Sequence, residues 1–236
     1  MRIILASASP RRKELLTGLG LCFEVVPSPG PEEGSADIPP HLAASHALAL
    51  AGRKAEEVAT LVRERGERTG AGGGGATGAS PASGAERVLV VAADTLVVLP
   101  DRVLGKPRSI AESREMLLAL AGREHRVVTA VVVTDPDTRQ THGATQETVV
   151  RFRPLDTAAI EAYVATGEPA DKAGAYAVQG VGSLLVDSIV GDYFNVVGLP
   201  LGCLAKLLKR FGIDLLVEAA ARTAEGTRRD CGRSAQ

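Results

Sequence analysis

Tryptophan is absent from the 236 residues, and all aromatics together make up 3%. A chain so poor in flat rings offers few platforms for stacking unpaired bases, which argues against single-stranded nucleic acid as a partner. Charge of one sign is also missing. Lys and Arg number 27 against 28 Asp and Glu, a formal net charge of −1, so neither nucleic acid nor an anionic membrane finds a general electrostatic hold. No apolar run approaches the ~18 residues of a membrane span. The three cysteines, Cys22, Cys203 and Cys231, are odd in number and widely spaced, which excludes a disulfide framework and a zinc knuckle and fits a reducing compartment. His41, His46, His125 and His142 show no metal-ligand spacing, and nothing suggests a Ser-His-Asp site. The opening MRIILASASPRRKELL places its basic residues after its apolar ones, the reverse of a secretory signal. A cytoplasmic protein is expected.

What is present is an ordinary globular composition, 45% hydrophobic and 23% charged, in a chain long enough to bury a sizeable core. Arg2–Ala6 reads as a buried strand, followed by a helix from Pro10 to about Leu19 with Ser9 as N-cap. Phe23–Val26 reads as a second strand, and Pro40–Arg63 carries helical spacing. The stretch Gly66–Gly84 is low in complexity, without apolar anchors, and reads as a flexible insertion. It lacks the Gly-Lys-Ser/Thr ending of a P-loop and the flanking strand and helix of a dinucleotide fingerprint.

Arg87–Leu99 is the most strand-like stretch. Ser109 and Glu112 form a capping box for the next helix. His125–Thr134 and Gln146–Arg153 pair as a hairpin around DPDTRQTHG. Asp156 caps a helix that stops at Gly167, Ser183–Val190 is a further strand, and Pro200–Phe211 an amphipathic helix. The expected architecture is α/β, a mixed twisted sheet flanked by helices, with one domain over residues 1–216 and a disordered tail over 217–236.

Four features carry chemistry. In Ser7-Ala8-Ser9-Pro10-Arg11-Arg12 a strand ends where a helix begins, so unpaired N–H groups, two hydroxyls and two guanidiniums converge. Basic residues in a first helical turn oppose the helix dipole, and a bound phosphate removes that conflict. Asp94 interrupts a run that is apolar on both faces. Either it is a buried carboxylate in need of a partner, or Ala93-Asp94-Thr95 is a tight turn between two short strands. Lys54, Lys106 and Lys172 lie beside glycines or small residues, where a triphosphate could approach. Gln179-Gly180 and Tyr193–Pro200 add an amide able to read a base edge.

In their order along the chain, SASPRR, Lys54-Ala55, AADT, LGKP, GEPADKAGAYAVQG and YFNVVGLP resemble the motifs of the Maf family. The likeness covers about Arg2 to Phe211. It implies a fold similar to the inosine triphosphate pyrophosphatases, with a central cleft, a homodimer, and hydrolysis of a nucleoside triphosphate to monophosphate and pyrophosphate with Mg²⁺ or Mn²⁺. Asp94-Thr95 and Val178-Gln179-Gly180 are similar to the branch acting on dTTP and UTP. By the same resemblance Asp94 is the proton acceptor and Arg11, Thr95 and Gln179 govern substrate choice. Ser7, Ser9, Arg12, Lys54, Lys106 and Lys172 would hold phosphate, and Glu32, rather than its neighbour Glu33, would join Asp94 as the acidic metal position. Asp94 could act as base or as metal ligand. The rivals are a nucleotidyltransferase, whose glycine-rich loop ending in Pro-Lys is missing here, and a nucleotide-binding module that affects cell division without turnover.

Overall fold

A computed structural model of the chain describes residues 2–30, 38–70 and 87–224. Seven strands form one sheet in the order β2-β1-β3-β5-β6-β7, with the short β4 pairing β3 beside that path. The strands are β1 (Arg2–Leu5), β2 (Phe23–Val25), β3 (Val88–Val98), β4 (Val103–Leu104), β5 (Glu124–Thr134), β6 (Thr141–Phe152) and β7 (Val186–Val190). β1 runs parallel to both β2 and β3, whereas β3, β5, β6 and β7 are successively antiparallel. The sheet is therefore mixed, as expected. The β3–β5 register is unbroken from Val90 to Val98, so Ala93-Asp94-Thr95 is continuous strand and the tight-turn alternative falls.

Side chains alternate between the faces of a strand, and both faces of β3 are covered. Val90, Ala92, Leu96 and Val98 pack with α2 (Ala43–Gly70). Leu89, Val91 and Ala93 pack against α1 (Pro10–Gly18) and α6 (Leu201–Arg210). Ala43, Ala47, Ala51, Ala55 and Ala59 recur every fourth position along α2, each at most 1% exposed. This stripe of methyl groups brings the helix backbone close to the sheet, which fixes how far a side chain on α2 must reach.

A third apolar cluster builds the other wall. It joins Met116, Leu117 and Leu120 of α3 (Ile110–Leu120) and Ile160 and Tyr163 of α4 (Thr157–Ala165) to Val127, Phe152 and Tyr176. His125 is 2% exposed there, its Nε2 2.8 Å from the Tyr176 hydroxyl and its ring edge-on to Phe152 and Tyr176. Ser109 and Asp156 cap α3 and α4 as read from sequence, accepting from Glu112 N and Ala159 N.

Several boundaries differ from the sequence reading. α2 follows a 3-10 turn at Pro40–Leu42 and runs on to Gly70, so the first residues of the glycine-rich stretch are helical; its remainder lies outside the described residues. β6 begins at Thr141, not Gln146, because its first half is held by pairing with β5 rather than by apolar burial. Residues Gly180–Leu185 form 3-10 turns, and the strand expected from Ser183 starts at Val186. Tyr193–Val197 is a short helix, α5. Leu215–Ala224 is helix α7, where a disordered tail was expected from residue 217. Asp214 accepts from Leu216 N at its start. No helix of the described residues is long and apolar enough to cross a membrane.

Burial holds the His125 imidazole well below its ordinary value, at about 4. The unfolded ring gains a proton near pH 6.5, and the folded one does not until about pH 4. Stability contributed by the neutral ring is thus complete above pH 7 and declines between those values. The decline should amount to roughly 3 kcal/mol at pH 4. Urea unfolding at stepped pH should show this slope in the wild type, and His125→Phe should remove that part of it.

Candidate active site

The three apolar clusters leave a cleft of about 1120 Å³ between them. Its lining comes from the β1–α1 loop, the loop after β2, one face of α2, the middle of β3, the β4–α3 loop and the 3-10 turns near residue 171. Seven Lys or Arg residues against four Asp or Glu line it, although the chain as a whole carries −1. Positive charge is therefore concentrated at this cleft, which suits a polyanion.

Asp94 stands on β3 in phase with Ala92 and Leu96 and so faces α2. Lys54 meets it there, Nζ to Oδ1 at 2.6 Å, with the two side chains 18% and 12% exposed. A central-strand carboxylate is tolerable because a cation comes to it. Oδ1 is engaged by the ammonium, while Oδ2 has no hydrogen-bond partner among the described residues. One oxygen is pinned and the other can accept a proton.

Thr95, one residue on, points to the opposite face. There, among the described residues, Arg12 makes four hydrogen bonds: Nε to Gly198 O at 2.8 Å, Nη1 to Ser7 Oγ at 3.0 Å and to Ala93 O at 2.9 Å, and Nη2 to Thr95 Oγ1 at 3.1 Å. The guanidinium fork thus ties α1, β3 and the end of α5 together. Gly198, at φ +119, closes α5 in the left-handed region, where a side chain would be strained. The expectation that Arg12 holds phosphate beside Arg11 changes accordingly: its donors are directed at protein acceptors, and its geometry is that of a positioning residue.

The network continues inward. Thr95 Oγ1 lies 3.0 Å from Thr129 Oγ1, Thr129 donates to Asn195 O, and Asn195 Nδ2 donates to Val127 O and Thr148 Oγ1. Thr129 and Asn195 are fully buried. Asn195 lies within the YFNVVGLP stretch, which the sequence marks without giving that residue a role, and Thr129 had no distinguishing signal.

Arg11 behaves differently from Arg12. It lines the cleft and makes no hydrogen bond or ion pair with the described residues. Burial lowers its pKa, and Asp171, Tyr163, Glu168 and Glu14 act electrostatically against that. A half-buried cation with no hydrogen bond or ion pair among the described residues is available to a ligand. Ser7, Ser9 and Lys106 also line the cleft; the Ser9 side chain makes no capping bond to α1.

Lys172 does not line the cleft. Its Nζ donates to Glu168 O at 2.7 Å and to Asp171 Oδ1 at 2.6 Å, so it braces its own turn. Asp171 faces the cleft instead. Burial would raise its pKa, but the hydrogen bond and charge of Lys172, with Arg11, hold it below the usual carboxylate range. Gln179 is half-buried outside the cleft lining, three residues on from Tyr176, which is part of it. Glu32 and Glu33 lie outside the described residues. Arg53, Arg102 and Arg108 line the cleft as well; isolated arginines on a helix and in loops gave no motif to single them out. Glu57 was also missed. It accepts from the Ser28 hydroxyl and from Gly30 N, at 3.2 Å, and so fixes a loop at the cleft edge.

The described residues contain no group of three His, Cys, Asp or Glu able to hold a metal ion among themselves. One hard oxygen donor, Asp94, beside a polycationic cleft does fit Mg²⁺ or Mn²⁺ in the mode where substrate phosphates and water complete the shell.

A family model described as Maf-like protein matches residues 2–211. The chain is 48% identical over 215 residues to a dTTP/UTP pyrophosphatase of Moorella thermoacetica, covering 91% of this chain and 97% of the relative. To a dTTP/UTP pyrophosphatase of Desulforamulus reducens it is 45% identical over 216 residues, 91% and 98% of the two chains. A third, from Syntrophotalea carbinolica, is 41% identical over 210 residues, 89% and 84%.

Thr129→Val keeps the volume of the side chain but removes the hydroxyl that joins Thr95 to Asn195. Leaving those groups unpaired should destabilise the fold by about 1–3 kcal/mol, read as a lower urea midpoint with an unchanged slope.

Proposed function

From the membership of this chain in the Maf-like protein family, we propose that its cleft hydrolyses dTTP and UTP to the nucleoside monophosphate and pyrophosphate. The observation that carries this reading is Asp94, held by Lys54 at 2.6 Å on the wall of a cleft whose lining is predominantly cationic. The names of the relatives support the choice of substrates, and the geometry supports the division of labour proposed below. Residues 1–216 act in this reading as one catalytic domain.

Water attacks the α-phosphorus, and Asp94 Oδ2 accepts its proton. Lys54 keeps the carboxylate oriented, so that Oδ2 rather than Oδ1 meets the water. Arg11 and Lys106 face the negative charge that collects on the departing pyrophosphate, where preorganised cations lower the barrier. Ser7 and Ser9, with the amides of the β1–α1 turn, hold phosphate oxygens. Arg12 keeps Ser7 and the Ala93 carbonyl in register, placing the first phosphate contact and Asp94 relative to each other. In the alternative role of Asp94 as metal ligand, it would hold Mg²⁺ or Mn²⁺ together with the acidic position that the family likeness puts at Glu32, and the ion would supply charge neutralisation at the phosphates. Thr95 and Gln179 are the proposed readers of the pyrimidine. A site that hydrogen-bonds a base edge rejects bases that leave its polar groups unpaired.

The test is a panel of nucleoside triphosphates with Mg²⁺ or Mn²⁺, scoring pyrophosphate separately from orthophosphate. Pyrophosphate release, strongest with dTTP and UTP, is the expected outcome. Asp94→Asn should lower kcat by about 10²–10⁴ with little change in unfolding midpoint. Near-wild-type turnover of that variant sinks the assignment of the base, and nucleotide binding without turnover would make the protein a regulatory module.

A further inference from the structure

The segment GEPADKAGAYAVQG was read as a source of ligand-facing groups, yet much of its polar chemistry is turned on itself. Two side chains organise it. Tyr163 projects from α4 with 3% exposure, and its hydroxyl accepts from Ala177 N at 3.1 Å while donating to Glu168 Oε1 at 3.2 Å. Glu168 opens the 3-10 turn Glu168–Asp171, and its carboxylate takes two further amides, Val181 N at 3.2 Å on Oε2 and Gly182 N at 3.3 Å on Oε1. The chain is thereby gripped two residues before Gln179 and again two and three residues after it.

The backbone between those grips leaves little room. Gly180 sits at φ +62, and a Cβ there would lie 3.2 Å from Glu168 Oε2. A Cβ on Gly182 would come within 2.3 Å of Ala177 O and 2.6 Å of the Tyr163 hydroxyl. Inside this frame the Gln179 side chain makes no hydrogen bond with the described residues.

We propose that Tyr163 and Glu168 form a clamp that positions Gln179 and so sets the preference among nucleobases, acting through that residue rather than by touching the base. The inference rests on the reading that the cleft hydrolyses pyrimidine nucleoside triphosphates. Its physical basis is preorganisation. An amide that has to be ordered when the nucleotide arrives discriminates less than one already held by its neighbours. The carboxylate is required for this because it accepts from two amides and the hydroxyl at once. A neutral amide in its place turns one acceptor into a donor facing an N–H group.

The test compares kcat/KM for UTP and GTP in the wild type, Glu168→Gln, Tyr163→Phe, Gln179→Ala and the double variant Glu168→Gln/Gln179→Ala. Thermal unfolding is followed for each. Glu168→Gln should narrow the preference for UTP about tenfold, mostly through KM, and Tyr163→Phe should act in the same direction. In the double variant the losses should not add: with Gln179 gone, most of the Glu168 effect on preference disappears. Additive losses, or an unchanged preference in both single variants, overturn the clamp. If Glu168→Gln does not fold, Tyr163→Phe and its double variant with Gln179→Ala decide by the same criterion. Wild-type protein that releases no pyrophosphate from any triphosphate overturns the underlying reading and the clamp with it. Wild-type release with additive variants overturns the clamp alone.

Discussion

The contact between Lys54 and Asp94 sets the terms for the rest of the molecule. A carboxylate in the middle of β3, with apolar neighbours along the strand, would be costly to fold around if it stood alone. Lys54 reaches it because α2 lies close to the sheet, and α2 lies close because alanines recur at every fourth position from Ala43 to Ala59. The helix contributes shape and charge from adjacent faces: methyl groups against Val90, Ala92 and Ala130, and an ammonium at the cleft wall. The pair borders the cleft and stays partly exposed, so its polarity is available to the proposed chemistry.

The opposite face of the strand is organised by a second cation. Arg12 joins Ser7, Ala93, Thr95 and Gly198, so the loop proposed to meet phosphate and the strand that carries Asp94 cannot shift independently. The buried chain through Thr129 and Asn195 extends that rigidity across the sheet. One central strand therefore has the proposed reacting side chain on one face and a hydrogen-bonded network on the other. The two successive arginines divide between these tasks: Arg12 is bonded to protein, and Arg11 is left to the cleft.

How much of this could be read from residues alone depended on distance along the chain. β3 and the polar interruption at Asp94 were legible because alternation and burial are local signals, and the capping residues Ser109 and Asp156 were legible for the same reason. The role of Arg12 was not, since its acceptors at Ala93, Thr95 and Gly198 lie 81, 83 and 186 residues away. Lys172 misled in the opposite sense: a lysine among glycines invites a ligand, but its partners are Glu168 and Asp171 in its own turn. The first half of β6 carries no apolar alternation, and the Ala-rich composition of α7 hides a helix behind the signature of a tail. Family likeness supplied what neither periodicity nor spacing could, namely the nucleotide and the bond that breaks.

That bond is the most direct point of attack. Turnover of UTP in ¹⁸O-labelled water, followed by mass analysis of both products, reports which phosphorus the water strikes. The proposed mechanism, with Asp94 Oδ2 as the base and the cationic lining facing the leaving group, requires the label in the nucleoside monophosphate and none in pyrophosphate. Label in pyrophosphate, or release of labelled orthophosphate, would contradict attack at the α-phosphorus and with it the role given to Asp94.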